Sequence, residues 1–214
     1  MSATKQTVLD TFASWVEPFE GSLAFMYCDQ LGLVTVGLGF LVDPIQAALA
    51  MPWIVPGRGP ATADEVRAAW TAVKARQDLK MRGGAIYHTV GGNVVRLTQS
   101  TIDAVTKQKL ATNETILVQH FPAFAAWNAD SQLALHSLAW AMGPSFAARF
   151  PAFTASCNAV PPDWIAAAPQ SHMSNGAVQR NLANARLLLT AADVDHCGLD
   201  PEVIHGIAQP LDAA

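Results

Sequence analysis

Glu17-Pro-Phe-Glu-Gly-Ser-Leu-Ala-Phe-Met-Tyr-Cys-Asp-Gln-Leu-Gly-Leu-Val-Thr-Val-Gly-Leu-Gly-Phe-Leu-Val42 is the stretch on which the reading of this chain turns. Residues 24–28 alternate, 29–32 carry turn residues, and 33–39 return, so the pattern predicts strand, turn, strand over 24–40. Gly32 is expected to supply a positive φ in the turn. Gly37 and Gly39 are expected to let another backbone or a ligand come close. Upstream, Val8, Leu9, Phe12, Trp15, Val16 and Phe19 recur at helical spacing and predict a first helix over 5–19, stopped by Pro18 and Gly21. Glu20 then falls at a helix end, Asp29 at a β-turn and Thr35 on the returning strand.

Downstream, Pro44, Pro52, Pro56 and Pro60, with Gly57 and Gly59, predict an irregular run over 43–62. Residues 62–82 read as a helix with Thr62 at its N-cap and Arg82-Gly83-Gly84 at its end. Residues 85–95 read as a short hairpin or an extended excursion. From Leu97 onward the chain reads as helix throughout. Thr98 is expected to cap a helix reaching about residue 119, and Asp130 an apolar helix over 132–142 that Gly143-Pro144 ends. Shorter helices are expected near 145–157 and 161–168. The last helix is expected over about 176–192, with Leu182, Ala185, Leu188 and Leu189 on its buried side, followed by a loosely packed tail from Asp193. The fold class is therefore α+β, mostly helical, with a small antiparallel β-hairpin or sheet near the N-terminus. We expect a single domain over 1–214: a small β lobe about 20–42, an insertion about 43–95, a helical lobe about 96–192 and a tail 193–214.

A chain of 214 residues that is 51% hydrophobic fills one sizeable core and is not disordered. No apolar run approaches the roughly 20 residues that span a bilayer. The opening Met1-Ser-Ala-Thr-Lys-Gln6 has no apolar core region, so synthesis without a secretory signal peptide is expected. Cys28, Cys157 and Cys197 form no Cys-x-x-Cys pair. They read as buried thiols, or as one disulfide with a thiol left over. The six histidines are scattered without metal-ligand spacing, so neither a metal nor a cofactor is expected. A net charge of −4 argues against general nucleic-acid binding. It hides an asymmetry: residues 58–109 hold nine of the thirteen basic residues and four of the seventeen acids. That segment reads as solvated helix faces or as a patch that meets an anionic polymer.

Two carboxylates on separate elements, with a hydroxyl nearby, are what cleavage of a glycosidic bond needs. Glu20 is the candidate general acid, against the plain reading of a helix-end surface residue. Asp29 is the candidate that orients or activates water or steadies an oxocarbenium-like transition state, against an ordinary turn aspartate. Thr35 is the candidate that holds the water, against a simple β-branched strand residue. Trp140 reads either as a sugar-stacking ring or as a core tryptophan; with Gly39 and Leu41 it makes up the substrate-contact candidates. Tyr27 reads as a packed strand aromatic before a ligand contact, and His136 as a satisfied core residue before a base. Ser137 lacks a nucleophile elbow.

Phe19-Glu20-Gly21, Tyr27-Cys28-Asp29 and Gly32-Leu-Val-Thr35-Val-Gly37-Leu-Gly39 together resemble the phage-type lysozymes, glycoside hydrolase family 24. That family carries Glu-x8-Asp-x5-Thr and closes its hairpin with Gly-x-x-Thr-[Ile/Val]-Gly-x-Gly. Leu97-Thr98 looks like the start of the family's long central segment. Asp130-Ser-Gln-Leu-Ala-Leu-His-Ser-Leu-Ala-Trp-Ala-Met-Gly143 looks like its buried core helix. Val178-Gln-Arg-Asn-Leu-Ala-Asn-Ala-Arg-Leu-Leu188 is similar to its final Asn/Arg-rich helix. The resemblance covers roughly 8–42 and 96–192. Phe40 stands where many members have His, and Ala141 where Asn or Gln is common. Residues 43–95 are much longer than the usual connection and read as a lid, a delivery handle or a second binding surface.

The resemblance implies a lysozyme-like fold and a muramidase that cuts the β-1,4 bond between N-acetylmuramic acid and N-acetylglucosamine, with inversion. Glu20 would be the acid, Asp29 and Thr35 would serve the water, and Trp140 would line the cleft. The partner implied is a peptidoglycan glycan strand, met by a monomer that neither binds nucleic acid nor inserts in a membrane. Action in the periplasm or wall of a host or target cell fits two settings. One is a phage endolysin released through a holin, the other an injected antibacterial effector with a cognate immunity protein. The rival readings are a lytic transglycosylase, which ends in an anhydro sugar and generally does without the second acid, and a non-catalytic wall-binding module.

Overall fold

The computed structural model describes residues 2–174 and 177–207. Helix predominates, and a three-stranded antiparallel sheet lies near the N-terminus, so the chain is α+β as its patterning predicts. Its residues divide into two units, Met1–Trp15 with Lys107–Ala214, and Val16–Thr106.

Helix α1 (Gln6–Glu20) forms on the spacing of Val8, Phe12 and Val16, all fully buried. It runs past Pro18 rather than stopping there, because a proline in the last turn forfeits only one backbone bond. Gly21 closes it, with φ 71 and its N–H donated to Glu17 O at 2.7 Å.

In the second unit, β1 (Leu23–Cys28), β2 (Val34–Gly37) and β3 (Phe40–Leu41) pair antiparallel in that order. The third strand is an addition to the expected hairpin. It follows a tight return at Gly37 and Gly39, with φ of 61 and 82. A side chain at Gly37 would sit 2.7 Å from the Phe40 ring, so the glycine is what lets Phe40 fold back. Tyr27 pairs with Thr35, and Thr35 with Leu41. Directly paired residues share a sheet face, so Tyr27, Thr35 and Leu41 form one row across it.

The run expected to be irregular holds short elements instead: α2 (Ile45–Leu49) and a ribbon of β4 (Ile54–Val55) and β5 (Gly59–Pro60). The buried Trp53 donates its indole N–H to Ala48 O at 2.7 Å, which fixes α2 against the ribbon. Helix α3 (Ala63–Lys74) starts on a reciprocal cap, Thr62 accepting from the Glu65 amide while Glu65 accepts from the Thr62 amide. Two 3₁₀ helices follow, Gln77–Arg82 and Gly84–Thr89, and neither a hairpin nor an extended excursion forms from 85 on. Tyr87 and Val90 are buried three residues apart, which is the 3₁₀ period. Asn93 then donates to Met26 O and Tyr87 O, tying the segment to β1. A backbone pair between Ile54 and Arg96 stitches the two ends of the excursion together. Five of the nine basic residues in 58–109 pair with carboxylates: Arg58, Arg67, Lys74, Arg76 and Lys107. Three of the partners, Asp64, Glu65 and Asp78, lie within the segment, so only Asp43 and Asp10 offset its positive excess.

Helix α4 (Gln99–His120) starts at Thr98, whose hydroxyl accepts from Thr101 N. In the first unit, α5 (Ala129–Met142) is buried from Ala129 through Trp140. It packs on α8 (Val178–Cys197), which also meets α7 (Trp164–Gln170); α6 (Pro151–Cys157) packs on α7. Three expectations fail here. Asn128, not Asp130, caps α5, because it holds the extended backbone from which a side chain reaches Ser131 N. Asp130 is buried one turn in and accepts from His205 N and Gly206 N at 3.0 and 2.7 Å. Leu182 and Leu189 on α8 are 62% and 47% exposed; the buried seam is Arg180, Asn181, Asn184, Leu187, Leu188, Ala191 and Val194. The tail is also anchored as far as it is described: Pro201 O accepts from Ala129 N, and Glu202 O from Thr7. The rest of that tail, 208–214, lies outside the described residues. Cys28 and Cys157 are buried free thiols, and Cys197 is an exposed one. No helix among the described residues is long and apolar enough to cross a membrane.

Residues 2–4 are strapped onto α4. Glu114 accepts from the Ser2 hydroxyl and the Ala3 and Thr4 amides at 2.6–2.9 Å. Burial pushes its pKa up, but the bonds from Ser2, Thr4 and Ala3 outweigh that and hold it below its usual value. A depressed carboxylate stabilises the fold above its ordinary pKa, and that stabilisation is lost as pH falls through the folded value. Glu114→Ala is therefore expected to cost about 2 kcal/mol near neutral pH. The gap to wild type should close in acid, as read by urea unfolding; a gap independent of pH would count against this account. His136, fully buried, shares Thr4 of the same strap at 2.8 Å. Burial lowers its pKa to about 4, so it is a neutral core residue.

Candidate active site

Glu20 is the last residue of α1 and is half-buried. The Gly39 return lies against it: a Cβ built at Gly39 would stand 3.6 Å from Glu20 Oε2. A helix end delivers the carboxylate, and a glycine with φ 82 brings bare backbone to its side.

Asp29 follows β1 directly and organises the turn it sits in. Its amide donates to Leu33 O, its carbonyl accepts from Gly32 N, and its Oδ1 accepts from Leu31 N and Leu33 N, all at 2.9 Å. Among the described residues Oδ2 takes no hydrogen bond. Oδ1 is thus the oxygen that holds the turn.

Thr35 is 5% exposed and donates its hydroxyl to Leu33 O at 3.2 Å. The oxygen keeps lone-pair capacity to accept from a water. Its cross-strand partner Tyr27 is a packed strand aromatic, as the sequence reading has it. Burial first, then the negative charges of Glu20 and Asp29, push the Tyr27 phenol up to about 12. The phenol therefore remains protonated, a neutral donor in the field of both carboxylates. Its place in the row with Thr35 and Leu41 follows from register; the influence of both acids on its phenol is disclosed by no local pattern.

Leu41 is 54% exposed at the end of that row. Trp140, in the other unit, is 7% exposed. Phe12 packs against its ring at 5.0 Å and the Lys109 ammonium stands 4.0 Å from the ring centre. This is the environment of a core tryptophan with a cation on its face. No cluster of three His, Cys, Asp or Glu side chains suited to a metal occurs among the described residues.

The turn that carries Asp29 is also gripped from outside. Lys74 donates to Gly32 O at 2.9 Å and pairs with Asp43, whose Oδ2 accepts from Val34 N at 3.2 Å. Burial works to raise the Asp43 pKa, but the Lys74 bond and the Val34 amide prevail and hold it below the usual range, so the pair is ionic. Gln77 donates to Gly32 O at 3.2 Å and to Lys74 O at 3.0 Å. Neither residue was a candidate from sequence, since each lies more than forty positions from the carbonyl it holds. No protein-family model matches this chain, and no curated protein does.

Proposed function

We propose that this chain is a glycoside hydrolase of the lysozyme type, cutting the β-1,4 bond between N-acetylmuramic acid and N-acetylglucosamine in peptidoglycan. What supports this reading is that Glu20 ends α1 beside the Gly39 return, Asp29 follows β1 and Thr35 lies on β2, so both acids and the hydroxyl belong to one small sheet and the helix that leads into it. In this reading Glu20 gives its proton to the departing sugar oxygen. Asp29, through Oδ2, and Thr35, through its hydroxyl oxygen, orient the water that attacks the anomeric carbon. Tyr27, its phenol kept protonated, supplies a neutral donor in the field of both acids. The setting that belongs to this proposal is the wall of a host or target cell, reached as an endolysin or as an injected effector.

The test is to incubate purified protein with peptidoglycan sacculi and analyse the released muropeptides by mass spectrometry. Reducing ends are expected. Anhydro ends would make the chain a lytic transglycosylase. Co-sedimentation with sacculi and no soluble product would make it a binding module.

A further inference from the structure

We propose that Lys74 and Gln77, supplied by the 43–95 excursion, are positioning residues that fix the Asp29 carboxylate by clamping the turn that bears it. This rests on the hydrolase reading given above. The excursion is longer than a sheet connection requires, and it packs along β1 through α3 and both 3₁₀ helices. At the end of β1, Cys28 meets the excursion, its thiol donating to Val73 O and accepting from Gln77 at 3.5 Å, and Tyr27 meets it too, since a Cβ at Gly84 would stand 2.8 Å from the Tyr27 ring. The clamp reaches Asp29 through the backbone of its turn, at Gly32 O.

Both donors converge on a single atom. Gly32 O accepts from Lys74 Nζ and from Gln77 Nε2. Gly32 is also the residue whose own amide closes the turn onto Asp29 O, at φ 80. Any Cβ at Gly32 would stand 2.1 Å from Gln77 Oε1, so the glutamine amide lies flat against the turn. The Asp43 carboxylate holds Lys74 in place and reaches β2 at Val34, which bridges the clamp to the strand that carries Thr35. With the turn fixed, Leu31 N and Leu33 N are aimed at Asp29 Oδ1, and this sets the direction of Oδ2. A loosened turn leaves the acid in place chemically but scatters its orientation, and small misplacements of a catalytic group are costly in rate.

The test compares wild type, Gln77→Ala, Lys74→Met and Lys74→Arg, with Arg67→Ala on the outer face of α3 as control. Turnover is measured on soluble glycan fragments, and backbone hydrogen exchange is followed at residues 31–33. Gln77→Ala and Lys74→Met should each lower kcat roughly tenfold at unchanged KM and speed exchange in the turn. Lys74→Arg, which keeps the charge and a donor, should restore most of the rate, and Arg67→Ala should match wild type. A kcat within twofold of wild type in both clamp variants, or a rate loss with no change in turn exchange, overturns the positioning role while leaving the hydrolase reading intact. A wild-type chain that releases no product overturns both.

Discussion

Glu20→Gln is expected to reduce glycan cleavage by roughly 1,000-fold in kcat, with KM within a few-fold of wild type. The amide has the shape of the carboxyl group and accepts similar hydrogen bonds, yet it cannot give up a proton to the sugar oxygen. The loss should therefore appear only in the step where the bond breaks. The substitution sits at the last residue of α1, after the buried positions Val8, Phe12 and Val16 that hold the helix in place. Circular dichroism and the melting temperature should accordingly be close to those of wild type. The measurement is release of reducing ends from sacculi. A variant retaining a tenth or more of the wild-type rate would remove Glu20 from the role of acid and, with it, the lysozyme-type reading.

Most of what positions that acid was legible in the sequence. The stretch 17–42 announces a helix end, a turn and a returning strand through features that act locally: a 3.6-residue apolar period, a turn aspartate, and glycines where positive φ is needed. The same holds for α3, whose Thr62 and Glu65 cap each other within one turn. Illegible features depend on partners far away in sequence. The seam of α8 is polar at its N-terminal end, with Arg180, Asn181 and Asn184 buried, so apolar periodicity selects the wrong face and places Leu182 inside when it is outside. Asp130 looks like a cap because acids favour helix starts, but its carboxylate is claimed by amides seventy-five and seventy-six residues on. At the site, Glu20, Asp29 and Thr35 were readable as candidates because they share one hairpin and its flanking helix end. Lys74 and Gln77 were not, because their bonds to Gly32 O exist only once the excursion has packed on β1. The glycine-punctuated run 83–92 misleads for a related reason. Its residues could turn in several ways, and burial of Tyr87 and Val90 selects the 3₁₀ form.

Asp29 tests whether structure and chemistry can be separated in a single side chain. Its Oδ1 holds the turn through Leu31 N and Leu33 N, and its Oδ2, which takes no hydrogen bond among the described residues, is the oxygen the proposal gives to water. Asp29→Asn keeps a carbonyl oxygen able to accept both amides, so the turn should survive with stability within about 0.5 kcal/mol of wild type. It removes the negative charge, so kcat should fall by roughly 100-fold or more. Asp29→Ala removes both functions. It should match or exceed the loss of kcat seen with asparagine and in addition destabilise the protein by about 1–2 kcal/mol, because two turn amides lose their acceptor. Paired urea melts and kinetics on the two variants decide the matter. If the asparagine variant is as unstable as the alanine variant, the charge itself holds the turn. If the asparagine variant turns over at the wild-type rate, Asp29 is a turn residue and nothing more, and a hydrolytic mechanism would have to find its second acid elsewhere.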